Sequence, residues 1–513
     1  MTLAPRIARA IFWGQAARVF EAVVFFVFYL WLARVLGPSD YGVFALGMSM
    51  AGVCVFLALA GLGPETLGRF VPEIAAGGDR ARVRRLFGTL LGIRAVAILV
   101  VSGSLYAFRH SLAYVFHSYF LSVSFCLLLF LFTARSVFDL LAYFSSGLLD
   151  LKRVAIAKLT AAVVAPCLFL SIPLFSARSV NSAWLVIAAG WVAGILVLAL
   201  PWFCAGVDSA SREQADFSIR RILTFGLFGW ITNFFLYILG DNTDVLLLGW
   251  LLPDRVAVGH YAAGAKIVFS LTGLLLGWVT LSSVSSLAEA RQRGGTGRLA
   301  SVLEAQWKLV VLCLVAPLFF LVCYAREIVT LFYSPAYAAS GSVVRILGGL
   351  MACAAICGFS IQGGALYVLD RERTACAVVG FAALFNLTTE IVLVRRMGID
   401  GAAWATGLSF VLLATSCTVA SAFYVRQHFP GPFVARVVFA AVVGVASTLW
   451  THPDSVARLA FAGALFAAVF FGVLAALKPL TGADSARLYR VNRRLGVWAE
   501  RWFMDVRGGV KEA

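Results

Sequence analysis

The chain has 513 residues, of which 61% are hydrophobic and only 13% charged, with a mean hydropathy of +0.92. A soluble protein carries about twice that charged fraction, so composition excludes a soluble globular enzyme and points to a polytopic membrane protein. The net charge of +17 does not call for a nucleic-acid partner, because most basic residues sit in short segments between apolar runs, as membrane topology demands.

A window of about 20 apolar residues per crossing places fourteen expected spans at 11–33, 40–62, 86–108, 114–147, 154–175, 183–204, 221–250, 256–286, 303–325, 341–368, 374–394, 401–424, 433–450 and 456–477. The first follows a basic start, exceeds a signal-peptide core and lacks a clear cleavage site, so it reads as a retained span. The fourth is too long for one straight crossing and is expected to tilt or to extend beyond the bilayer. With the N-terminus in the cytoplasm, about 26 Lys and Arg fall on the inner side and about 8 on the outer. Both termini are therefore expected in the cytoplasm. The ten cysteines lie in or at the ends of apolar runs without metal-ligand spacing and read as small membrane-core residues. No cofactor is expected.

Residues 36–46, LGPSDYGVFAL, and 252–266, LPDRVAVGHYAAGAK, are alike in their Leu, Pro, Asp, Gly and Tyr. Each stretch opens the second span of a six-span block, and six is even, so the blocks run parallel. The expected fold is all-α, with about 14 transmembrane helices in two parallel six-helix bundles around a central cavity plus two further helices. The bundles are assigned to 1–205 and 221–425, a cytoplasmic linker to 206–220, helices 13 and 14 to 426–480, and a basic tail to 481–513. In that tail Leu488, Val491, Leu495, Trp498 and Trp502 recur at helical spacing among arginines, as in a helix lying on an anionic membrane surface.

Charges inside spans need a partner or a cavity. Arg18 and Glu21, Arg135 and Asp139, and Glu304 and Lys308 are three or four residues apart and are expected to pair locally. Lys266, about ten residues into its span, and Arg94 have no acid within a turn. Arg18, Arg94, Arg135 and Lys266 are the candidate cationic cavity. Asp241 and Asp244 lie toward the outer half of the seventh span, with Asp244 a possible partner of Lys266. Glu390, one turn after Asn386, is a buried acid suited to titration or to an interhelical hydrogen bond. Glu21, Asp139, Asp241, Asp244 and Glu390 are the ion-coupling candidates.

The stretches LARVLGPSDYGVFAL, GLGPETLGRFVPE, DNTDVLLLG…VGHYAAGAKI, REIVTLFYSPAYAAS and NLTTEIVLVRRMGIDGAAWATGLS span nearly the whole chain. Together they resemble the polysaccharide and O-antigen flippases of the multidrug/oligosaccharidyl-lipid/polysaccharide (MOP) exporter superfamily. The resemblance implies a V-shaped pair of bundles in the bacterial cytoplasmic membrane. It implies alternating access that carries an undecaprenyl-pyrophosphate-linked oligosaccharide from inner to outer leaflet, coupled to H+ or Na+, beside polysaccharide-assembly proteins. A diphosphate calls for charge-assisted donors, which arginine and lysine supply. The alternatives are a multidrug antiporter, a peptidoglycan lipid-precursor flippase, or a membrane enzyme such as a polysaccharide polymerase. His110, His117, His260, His428 and His452 all lie in or beside loops and no catalytic arrangement stands out, so the chain reads as a non-enzyme.

One polar break remains. In GLGPETLGRFVPE, Glu65, Arg69 and Glu73 are spaced for one helical face, with Arg69 able to pair both ways and Pro72 casting doubt on the last turn. At the cytoplasmic end of the second span they are expected to form a gate that stabilises an inward-closed state; a solvated turn is the plainer reading. Among the cations, Lys266 is tested most simply: Lys266→Ala is expected to abolish transport in membrane vesicles while leaving expression and melting temperature unchanged. Full transport would remove Lys266 from the pathway.

Overall fold

The computed structural model describes residues 3–75, 80–117, 123–171, 178–204, 218–359, 361–481, 484, 497, 502 and 503. Most of the expected linker, 206–217, and most of the tail, 482–483, 485–496, 498–501 and 504–513, lie outside the described residues.

Helices make up the fold: α1 Leu3–Ala58, α2 Pro64–Ala75, α3 Arg80–Ala107, α4 Arg109–Val115, α5 Phe125–Gly147, α6 Leu151–Ser171, α7 Val180–Cys204, α8 Ile219–Ile238, α9 Asp241–Leu251, α10 Arg255–Cys323, α11 Ala325–Phe332, α12 Ser340–Ile356, α13 Ile361–Val368, α14 Glu372–Met397, α15 Ile399–Ala422, α16 Gly431–Ala446 and α17 Val456–Leu477. Eleven helices among the described residues are long and apolar enough to cross a membrane, or twelve when α12 and α13, bent by 40°, count as one. The protein is a multi-pass membrane protein, and among the described residues each of the fourteen expected ranges overlaps a helix.

The apolar stretch Ala17–Ala58 is 42 residues, about 63 Å at ~1.5 Å per residue, twice a ~30 Å hydrocarbon core. It breaks at Gly37, where φ is 74° and ψ 170°, followed by Pro38. Only glycine adopts that backbone without strain, so this one residue turns a continuous helix into two spans. A second break, at Gly294 and Gly295, divides α10 in the same way. In the long fourth range α4 ends at Val115 and α5 begins at Phe125, with residues 118–122 outside the described residues. The seventh span is α8 and α9, interrupted at Leu239–Gly240.

The chain forms two compact units, Met1–Ala262 and Ala263–Ala513. In the first, α6 and α7 pack closely because small residues face each other. A methyl on Gly190 would lie 2.7 Å from the Ala161 carbonyl oxygen, and one on Gly194 would lie 3.0 Å from the Ala157 carbonyl oxygen. Close backbone approach replaces the hydrophobic drive that lipid removes.

In the second unit the start of the tail is tied down by a buried ion pair. Lys308 Nζ lies 3.0 Å from Asp484 Oδ2 and 2.9 Å from Glu304 Oε1. The Glu304–Lys308 pair is therefore as spacing predicts, and a tail carboxylate joins it. Burial raises the Asp484 pKa. The Thr481 backbone N–H and hydroxyl, which donate to it at 3.0 and 2.7 Å, and Lys308 more than offset this, so the pKa stands below the ordinary carboxylate value. A depressed carboxyl pKa contributes stability that is present above the unfolded value and lost as pH falls through the folded one. Asp484→Asn is thus expected to lower the melting temperature by several degrees. That gap should hold from pH 8 to about 5 and close only in stronger acid, where the parental carboxylate is protonated too. A gap already closed at pH 6 would contradict the depressed pKa.

Candidate functional site

Charges in the first unit gather into one cluster. On α5, Arg135, Asp139 and Tyr143 are spaced four apart and share a face. Arg135 Nε donates to both Asp139 carboxylate oxygens, at 3.2 and 3.1 Å. Its guanidinium lies 4.2 Å from the ring centroid of Trp191 on α7, while 45% of its side chain stays exposed. Trp191 stacks on Phe25, and Phe25 on Tyr29, at centroid distances of 5.9 and 6.0 Å. The result is a cation against an aromatic strip, an arrangement worth ~0.5–2 kcal/mol depending on solvation.

Across the strip, Lys158 of α6 pairs with Glu21 of α1 at 3.3 Å. The expected Arg18–Glu21 pair is therefore corrected. Arg18 is exposed, and the longer-range lysine holds the acid because α6 packs beside α1. Glu21 lies within electrostatic reach of Arg135, and Tyr143 within reach of Asp139, Arg135, Arg94 and Glu65. Arg94, on α3, is completely buried and donates from Nη2 to the Leu62 carbonyl at 3.1 Å. Its Nε and Nη1 have no hydrogen-bond partner among the described residues. Arg135 and Asp139 are thus in contact, Arg94, Glu21 and Glu65 lie within electrostatic reach of this group, and Arg18 does not join them by contact.

Sequence reasoning missed Lys158, Tyr143 and Trp191. Lys158 lies near the start of its span, where a lysine ordinarily snorkels. Tyr143 was readable from its four-residue spacing after Asp139. Nothing local marks Trp191.

The gate segment folds as the amphipathic helix α2, which buries Leu67, Phe70, Val71 and Ile74 against Leu86, Leu90, Leu140, Phe144 and Ile222. That burial carries the helix through Pro72 to Ala75, a correction to the expected doubt about its last turn. Arg69 makes no ion pair with Glu65 or Glu73 among the described residues. Its guanidinium instead lies 4.6 Å from the Phe225 ring centroid of α8, and Glu73 pairs with Arg221 of α8 at 3.4 Å. Glycines set the spacing, since a methyl on Gly226 would fall 2.0 Å from the Gly61 carbonyl oxygen. Trp230 stacks on Phe56 at 5.3 Å and donates to its carbonyl at 3.1 Å. This seam joins the segment 56–73 to α8.

A second seam joins the two repeated stretches. Methyls on Gly42 and Gly259 would fall 2.1 Å from the Arg255 oxygen and 1.9 Å from the Pro38 oxygen, so each repeat's glycine receives the other's backbone. The buried Asp244 accepts from the Tyr261 hydroxyl, and Asp241 opens α9 where the helix dipole favours an acid. In the second unit, Lys266 is partly buried on α10, and Glu390 and Asn386 are buried on α14. An open cavity of about 560 Å³ there is bordered by Gln292, Tyr367 and the Arg291–Asp370 ion pair. No group of three or more metal-ligating residues occurs among the described residues.

A family model described as "Polysaccharide biosynthesis protein" matches residues 7–286. The probable low-salt glycan biosynthesis flippase Agl15 of Haloferax volcanii is 20% identical over 217 residues, 42% of this chain and 45% of that protein. The match thus spans less than half the length of that relative. Among solved structures, an inward-facing multidrug resistance transporter of the MATE family of the MOP superfamily aligns with a TM-score of 0.65 and 14% identity, covering 79% of this chain and 94% of that one. The lipid II flippase MurJ in an inward closed conformation aligns with a TM-score of 0.64 and 12% identity, covering 93% and 99%. At such identities the likeness is one of fold, and that fold is the all-helical one expected from the spans. The family match extends over more than half of the chain, which belongs to the polysaccharide biosynthesis protein family, with the fold of the MOP exporter superfamily.

Proposed function

We propose that this protein carries an undecaprenyl-pyrophosphate-linked oligosaccharide from the inner to the outer leaflet of a bacterial cytoplasmic membrane, by ion-coupled alternating access, with both termini in the cytoplasm. The observation that carries this reading is the half-exposed Arg135 guanidinium lying over Trp191, beside Lys158 and the Phe25–Tyr29 strip. A diphosphate needs planar, charge-assisted donors, and sugar rings stack on aromatic faces. Both stand here side by side on helices. The lipid tail remains in the bilayer while the headgroup meets these groups. Lys266 of the second unit is proposed as a further cation on the path.

Ion coupling is assigned first to Glu21 and Asp139, whose cationic partners a diphosphate would compete for; Asp241, Asp244 and Glu390 stand as second candidates. Glu65, Arg69 and Glu73 are proposed as the inner gate, since α2 meets α8 through Arg69 and Glu73. A multidrug antiporter is the second reading, favoured by the MATE fold. The acids of the first-unit cluster argue against it, because Glu21 and Asp139 already hold cations.

Native mass spectrometry of protein extracted gently from its own membrane tests the substrate class. A polyprenyl-diphosphate oligosaccharide is expected to co-purify with the parent and to be lost in a folded Arg135→Ala variant. Equal retention by the variant would overturn the assignment of Arg135, and saturable transport of cationic dyes without such a lipid would favour the antiporter. For the gate, Arg69→Glu sets a carboxylate against the Phe225 ring face and is expected to cut transport about tenfold, the scale of a ~1.4 kcal/mol loss. Unchanged transport in a folded variant would remove Arg69 from the gate.

A further inference from the structure

Arg94 is unusual even within its cluster. It is a fully buried guanidinium with one hydrogen bond, to the Leu62 carbonyl, and two further donor nitrogens without a partner among the described residues. Buried donors left unmade are costly, more so when charged. The nearby acid, Asp139, is engaged by Arg135 through both oxygens. One carboxylate thus serves two guanidinium groups and is bonded to only one of them.

The carbonyl that Arg94 holds occupies a telling place. Leu62 ends a tight turn after α1 in which Ala60 and Gly61 both have positive φ, 47° and 78°. Alanine in that region is strained, so the turn depends on what holds it. Gly61, next to Leu62, forms the close backbone contact with Gly226 of α8. Thr66 is buried at the same place, its hydroxyl 3.0 Å from where a Gly226 methyl would sit. Arg94 therefore touches the turn that makes the α2–α8 seam, and it stands next to the pair that faces the proposed ligand site.

We propose that Arg94 is a positioning residue that couples occupancy of Arg135 to opening of the Gly61–Gly226 seam by exchanging the Leu62 carbonyl for the Asp139 carboxylate. An anionic ligand that engages the exposed side of Arg135 weakens its pair with Asp139. The released carboxylate draws the Arg94 guanidinium toward it through the unmade Nε and Nη1 donors, and that displacement takes Nη2 off the Leu62 carbonyl. The strained turn relaxes and the seam separates. Without ligand, Asp139 stays on Arg135 and Arg94 keeps the seam shut. The identity of the ligand rests on the flippase reading; the exchange among Arg135, Asp139, Arg94 and Leu62 does not.

The test reads the seam itself. Thr66→Cys places a thiol there, and maleimide labelling at residue 66, located by peptide mass spectrometry, measures how often the seam opens in membranes. In this background Arg94→Gln is expected to raise the labelling rate about tenfold without any ligand, the scale of one lost buried hydrogen bond to a charged group. Arg94→Lys, which keeps a charged donor, should restore most of the protection. Arg135→Gln frees Asp139 and should raise labelling likewise, whereas Arg135→Gln with Asp139→Asn removes the competing anion and should return it to the parental rate. A parental rate in folded Arg94→Gln, or in Arg135→Gln should Arg94→Gln fail to fold, overturns the coupling. A raised rate in Arg135→Gln that Asp139→Asn does not reverse overturns it too, since opening would not then pass through the carboxylate. Inorganic pyrophosphate is the separate probe of the ligand. If the variants open the seam but millimolar pyrophosphate leaves the parent unlabelled, the anion-site reading of Arg135 fails while the coupling stands.

Discussion

A charge placed within an apolar bundle must be answered by another charge or reach water, because the hydrocarbon supplies neither. That constraint organises the first unit. Arg135 and Asp139 answer each other one turn apart on α5, and Lys158 and Glu21 do so between α6 and α1. Once those pairs form, the rotations of these helices are restricted, and Trp191, Phe25 and Tyr29 are turned to the same strip. The aromatic face of α1 follows in part from the pairing, since rotating α1 to bury Phe25 and Tyr29 would part Glu21 from Lys158.

The seams obey a different rule. Where α8 meets the turn before α2, and where the two repeated stretches meet, contact is made by backbone against glycine. Such contacts are close and specific, yet they bury little apolar side chain at the point of touch. They are joined by Arg69 over Phe225 and by the exposed Glu73–Arg221 pair, which are individually modest. Apolar contacts flank these points, since Phe56 stacks on Trp230 and Phe70 meets Phe225 edge to face at 5.6 Å. The α2 core, with Leu67, Phe70, Val71 and Ile74 buried, holds the helix on α3 and α5 and reaches α8 through Ile222.

Much of the fold was legible in the sequence, because twenty apolar residues in a row have few alternatives to a membrane helix. The breaks were less legible. Gly37–Pro38 reads as a turn on its own, but the end of α4 at Val115 does not. The doubt over Pro72 came from a local rule that tertiary burial overrode. In the site, the Arg135–Asp139 and Glu304–Lys308 pairs were readable from helical spacing, whereas Arg18 and Glu21 satisfied the same rule and do not pair. The difference lies in which neighbour each side chain faces, and a bundle apolar on all sides carries no periodicity to encode that.

By itself, then, the sequence determined the class of protein, the approximate places of its apolar helices, the resemblance to flippases and the set of intramembrane charges, all of which depend on composition and local order along the chain. Only the tertiary structure decided that Lys158 holds Glu21, that Arg69 stacks on Phe225 and pairs with neither of its neighbouring acids, and that Asp484 closes over Lys308. It alone placed the buried Arg94 on the carbonyl of a strained turn. These contacts join residues up to 176 positions apart, and their formation depends on helix rotation and backbone approach, which emerge from packing the whole unit.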